Sequence, residues 1–142
     1  MSDSLENERE RIRERKAREL RERLESREGG GDERTESPAE PISIRDQGHF
    51  ASILESHSPV LVDCYADWCG PCQMLEPTID ALAAETDAAV AKLDVDANPQ
   101  LTQQLGARGV PTLLVFADGE PAERFVGVQD RATLEAALER HR

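Results

Sequence analysis

Residues 69 and 72 are cysteines separated by Gly70 and Pro71, within the stretch ADWCGPCQ that covers residues 66–73. Two sulfurs at this spacing have three chemical uses: holding a metal, bracing the chain as a disulfide, or exchanging electrons by opening and closing that bond. A structural zinc site needs four Cys or His ligands, usually as two pairs. Beside this pair the chain offers Cys64, His49, His57 and His141, with no second pair, so no metal is expected. A purely structural bridge here closes a very short loop and gains little entropy. Reversible thiol–disulfide chemistry remains.

That chemistry needs the pair to be positioned, and the flanking residues do it. VLVDCYA, Val60 to Ala66, is a consecutive apolar run of the kind found in a central strand covered on both faces. A helix is expected from about Cys69 to Thr86, with Leu75, Ile79 and Leu82 on one face and Pro77 kinking it. The junction sets Cys69 against free backbone N–H groups and the positive end of the helix dipole. Both stabilise a thiolate, which is the attacking form. Gly70 leaves a gap for a partner, and Pro71 fits a first helical turn, where a missing N–H costs nothing. Cys72, one turn on, can reach back and expel a mixed disulfide.

The remaining elements complete an α/β domain. A short strand near Ile42–Ile44 precedes Asp46, an N-cap for a helix carrying Phe50, Ile53 and Leu54. Pro59 ends that segment. Ala89 to Asp94 reads as a strand and Asn98 to Leu105 as a short helix. Thr112 to Ala117 and Ala122 to Val126 flank Asp118-Gly119, a hairpin signal. Asp130 caps a last helix with Leu134, Ala137 and Leu138. The order βαβαβαββα implies an α/β fold with one mixed sheet and helices on both faces.

Charge divides the chain. Of its 29 acids and 17 bases, residues 1–37 hold 12 and 10, whereas residues 38–142 hold 17 and 7. A domain this acidic repels nucleic acid and anionic membranes, so neither is expected as a partner. Only Lys16 and Lys92 are lysines. Acid surplus with lysine depletion suits a protein kept soluble in concentrated salt; a GC-rich genome that writes Arg for Lys is the alternative, though it does not by itself explain the acids. Residues 1–28 form a Glu/Arg-rich extension, helical or disordered, with opposite charges at helical spacing, such as Glu14 with Arg18 and Glu19 with Arg23. Residues 29–41, opening on three glycines, read as a flexible linker, and residues 42–142 as the domain. No apolar run reaches the roughly 20 residues of a membrane span, and the N-terminus lacks a signal-peptide core. A cytoplasmic location is expected, where thiols stay reduced.

VDCYADWCGPCQML, followed by KLDVDANP, GVPTLLVF and the DGEP hairpin, resembles the thioredoxin family across residues 42–142. The resemblance implies the thioredoxin fold, protein-disulfide reductase activity and no bound cofactor beyond a redox-active Cys69–Cys72 disulfide. It also implies disulfide-containing proteins as substrates and thioredoxin reductase as electron donor; the chain is expected to be a monomer. Cys69 is then the nucleophile and Cys72 the resolving thiol. Asp63 lies in an apolar strand, where burial should raise its pKa. In the family the matching Asp helps take the proton from the second cysteine. Lys92 falls where the family places that acid's partner, and a structural Asp63–Lys92 pair is the simpler alternative.

The resemblance also makes Pro111 a cis proline beside the cysteines, leaving Val110 to pair with an extended substrate segment. Gly127 would let another loop approach the disulfide, and Trp68 would cover its flank. The Gly-Pro dipeptide resembles that of the reducing members. Three residues depart from the pattern: Cys64 in place of an aromatic, Tyr65 where tryptophan is common, and Gln73 for a frequent lysine. Cys64 reads as an inert core thiol. Two other functions stay open: a disulfide oxidant or isomerase, and a redox adaptor docked to a partner by its N-terminal extension.

Overall fold

The computed structural model describes residues 7–19 and 37–142. The chain divides after Thr35 into two units. In the first, residues 7–19 form helix α1, exposed along most of its length. Arg15 Nε lies 3.9 Å from Glu19 Oε1 one turn away, a solvated pair of the expected kind. The Glu19–Arg23 pair and residues 29–36 of the expected linker lie outside the described residues, and residues 37–41 have no helix or strand.

The second unit is built on the apolar run. Its elements are β1 (Ile42–Ser43), α2 (Gln47–Ser56), β2 (Val60–Tyr65), α3 (Gly70–Glu85), β3 (Ala89–Asp94), α4 (Pro99–Leu105), β4 (Thr112–Ala117), β5 (Glu120–Val126) and α5 (Arg131–Arg140). The sheet order is β1-β3-β2-β4-β5. β1, β3 and β2 are parallel, while β4 and β5 run antiparallel to their neighbours. β2 is therefore central, and its first five residues are buried. This is the mixed sheet that the element order implied.

Strand alternation divides the core between two faces. Val60, Val62 and Cys64 pack with Ala91, Leu93 and Leu114 against Phe50 and Ile53 of α2 and Leu101 of α4. Leu61, Val90, Leu113 and Val115 pack instead against Leu75, Ile79 and Leu82 of α3 and Leu134 and Leu138 of α5. The aspartates expected as caps are caps: Asp46 Oδ1 accepts the His49 N–H and Asp130 Oδ1 that of Thr133, each at 2.7 Å. Asp118 and Gly119 both adopt positive φ, 52° and 83°, as a tight hairpin turn needs.

Two details differ from the sequence reading. β5 begins at Glu120 rather than Ala122, and its pairing with β4 shifts between Val115 and Phe116. Pro121 is tolerated inside it because β5 is an edge strand. α3 runs from Gly70 to Glu85, with Cys69 and Thr86 as its caps rather than its end residues, and it includes Pro77 as expected; the ring removes one hydrogen bond, and the buried face of Leu75, Ile79 and Leu82 holds the helix on either side.

Candidate active site

Cys69 is the N-cap of α3, with Pro71 in the first turn. Its Sγ accepts the Cys72 N–H at 3.2 Å, so one of the helix's free donors points at that sulfur. Cys69 and Cys72 are joined as a disulfide with Cα atoms 5.3 Å apart. Both are buried, packed with Ala66 and bordered by Tyr65, Val95 and Val110. A Cβ at Gly70 would meet nothing within 4 Å, so the space beside the pair is open.

Large apolar side chains next to the pair in the sequence are exposed. Trp68 is 71% and Met74 75% exposed, and Val126 and Val128 also reach solvent. Trp68 is held by its indole N–H, which donates to Asp96 Oδ2 at 2.9 Å. The Val110–Pro111 peptide is cis, as the resemblance implied. Gly127 N–H donates to the Pro111 carbonyl at 2.9 Å, joining the two loops that carry Val110 and Gly127. Gly127 has φ 90° and nothing within 4 Å of a would-be Cβ; the space beside it is open, and glycine is required here by the backbone.

Asp63 faces the other way from the mid-strand Cys64. Only 1% of it is exposed, and its Oδ1 has no hydrogen-bond partner among the described residues. Burial pushes its pKa up to about 6, opposed by the Lys92 charge and reinforced by that of Glu76. The ion pair that Lys92 makes is with Glu76, although its charge still acts on Asp63. Lys92 is in register with Asp63 on the neighbouring strand, yet its Nζ donates to Glu76 Oε1 at 3.3 Å and sits 4.5 Å from the centre of the Tyr65 ring.

Glu76 and Asp96 are thus site residues that the sequence reading missed. Glu76 had a signal: it stands four residues after Cys72 and so on the same helical face. Asp96 had none, because its contact with Trp68 spans 28 residues. Gln73, in place of the frequent lysine, donates to the Asp67 carbonyl at 3.2 Å and closes the loop before Cys69.

A mixed sheet with a Cys-Gly-Pro-Cys disulfide capping a helix defines a thiol–disulfide oxidoreductase. The Thioredoxin family profile matches residues 40–140. Thioredoxin of Mycobacterium bovis is 44% identical over 95 residues, 66% of this chain and 82% of that protein. The bifunctional thioredoxin reductase/thioredoxin of Mycobacterium leprae is 42% identical over 95 residues, 66% of this chain and 21% of that longer protein. Among solved structures, a mutant thioredoxin from Halobacterium salinarum superposes with a TM-score of 0.72 at 51% identity, covering 74% of this chain and 93% of that one. The chain belongs to the thioredoxin family.

Proposed function

We propose that this chain is a monomeric, cytoplasmic reductant of protein disulfides, recharged by a thioredoxin reductase and needing no bound cofactor. The observation that carries the reading is the Cys72 N–H aimed at Cys69 Sγ on a helix N-terminus, an arrangement that favours a thiolate at Cys69 once the pair is reduced. The Cys69 thiolate attacks one sulfur of a substrate disulfide. A mixed disulfide forms, and the other substrate sulfur leaves as a thiolate. Cys72 then gives its proton toward Asp63 and attacks Cys69 Sγ, releasing the second substrate thiolate. Two electrons pass to the substrate and the Cys69–Cys72 disulfide closes.

The substrate segment lies along Val110, whose backbone makes no hydrogen bond among the described residues, with Trp68, Pro111 and Gly127 bounding it. Lys92 acts on Asp63 through its charge. The reductase as electron donor is supported by the fused mycobacterial relative, and concentrated salt as the working medium by the Halobacterium likeness. Among the described residues no helix is long and apolar enough to cross a membrane.

The test is the reduction potential of the Cys69–Cys72 pair, read by equilibration with a dithiol buffer. A value near about −270 mV supports a reductase, and one near about −120 mV makes the protein an oxidant. In parallel, Cys69→Ser should abolish reduction of insulin disulfides, and Cys72→Ser should accumulate mixed disulfides with its partners. Full activity in Cys69→Ser would overturn the mechanism.

A further inference from the structure

Asp63 sits two residues after Leu61, which packs among Leu75, Ile79 and Leu82, so strand alternation turns its carboxyl toward α3. Lys92 follows Val90 of the same cluster by two residues and therefore shares that face. A lysine in register beside a buried carboxylate is its natural counter-ion. Here the ammonium has gone to Glu76 instead, while Asp63 Oδ1 is left without a hydrogen bond. Glu76 stands one helical turn after Cys72, so a single face of α3 carries both the resolving sulfur and the carboxylate that competes for the lysine.

We propose that Glu76 is a positioning residue of the exchange reaction: by drawing the Lys92 ammonium to itself it withholds that cation from Asp63 and sets how readily Asp63 accepts the Cys72 proton. The inference rests on the reading above that Asp63 serves Cys72. One lysine faces two carboxylates of unequal cost. The Glu76 side chain is 52% exposed and ionises with water's help, whereas Asp63 must ionise in the core. Lys92, 18% exposed and resting on the Tyr65 ring, has little freedom to serve both.

The groups facing Asp63 are few. β3 supplies Lys92 and α3 supplies Glu76. β4 places Leu113 opposite, which has no charge. On β2 itself the neighbours are Cys64 and Tyr65, and the ionised Asp63 pushes the pKa of each upward. The Cys69–Cys72 disulfide does not titrate while closed. Burial raises the Asp63 midpoint to about 6, and Lys92 and Glu76 are the charges that adjust it, the first lowering it and the second raising it.

The experiment follows the Asp63 side-chain carboxyl by carbon NMR against pH in the oxidised full-length protein. It compares the unaltered chain, Glu76→Gln, Lys92→Met and the double variant. Glu76→Gln should move the midpoint down, because a repelling charge is gone and the lysine is released toward Asp63. Lys92→Met should move it up. The Glu76→Gln shift should shrink in the Lys92→Met background, the mark of an effect carried by the lysine. A midpoint unmoved by Glu76→Gln overturns the proposal, and so does an equal shift in both backgrounds, which would mean direct repulsion alone. The pH profile of mixed-disulfide release tests the underlying reading separately. A midpoint that moves while the release profile stays put keeps the charge linkage but removes Asp63 from the proton transfer, and with it Glu76 from the exchange reaction.

Discussion

Asp63 is the residue at which stability and the proposed chemistry conflict. Its carboxylate would be more stable in water than in this strand, so the fold binds its proton more tightly than the unfolded chain does. The sign follows. Below the ordinary value of 3.8 the group is protonated in both states and has no effect. As pH rises from there to about 6, the unfolded chain ionises first and stability falls; above about 6 the loss is complete. A shift of this size corresponds to about 3 kcal/mol. Asp63→Asn should therefore be more stable than the parent at pH 7 by up to about 3 kcal/mol, with the difference vanishing near pH 4, as read by urea unfolding at each pH. A difference that does not change with pH would mean that the carboxylate is solvated or paired in the fold. Cys64, next along the strand, is pushed up to about 12, by burial first and by Asp63 second. That is the physical reason to expect an inert thiol there.

Among the elements, α5 shows which forces attach a helix to the sheet. Arg131 bridges Glu85 of α3 and Glu135 of its own helix, and Arg142 joins Asp87 and Glu139. These side chains are all substantially exposed, and such pairs are worth about 0–1 kcal/mol each. Leu134, by contrast, is wholly buried against the α3 and β4 cluster. Leu134→Ala should cost about 2–5 kcal/mol by lost burial and the cavity left behind, whereas Arg131→Ala should cost about 1 kcal/mol or less. Chemical unfolding of both variants checks this; a larger loss for Arg131→Ala would assign the attachment to the ion pairs. The same logic applies to α3. Its apolar face fixes the helix over β2, and that in turn fixes where Cys69 sits.

At the scale of the whole molecule, charge is the dominant uncompensated term. Residues 38–142 carry 17 acids and 7 bases, while residues 1–37 are close to balance with 12 and 10. Repulsion among surface carboxylates falls as the screening length shortens from about 10 Å at 0.1 M salt to about 3 Å at 1 M. The unfolding midpoint of the full chain should therefore rise with potassium chloride over that range. A chain lacking residues 1–37 should show the same rise, because the surplus lies in the domain, and should keep its disulfide reductase activity. A salt response lost on truncation would place its origin in the extension. Loss of partner capture with general activity intact would make the extension a docking segment.

The sequence alone determined the class of fold, the redox pair and its seat on a helix N-terminus, the caps at Asp46 and Asp130, and the hairpin at Asp118-Gly119. The redox pair, the caps and the hairpin are each carried by residues within about one turn or one strand of each other, and the class of fold by the order in which such elements follow, so spacing and apolar periodicity suffice to reveal them. Burial of Asp63 was legible too, because an acid inside VLVDCYA has nowhere polar to go. What its neighbours would be was not. The diversion of Lys92 to Glu76 spans 16 residues, and Trp68 reaches Asp96 across 28. Arg124 finds the carbonyls of Leu105 and Gly106 across 19 and 18. Such pairings depend on strand register and on where a helix crosses the sheet, and these are set only when the two faces of the core pack. Local sequence carries no term for them, and a lysine with two carboxylates in reach gives no sign of which it will take until the third dimension fixes the distances.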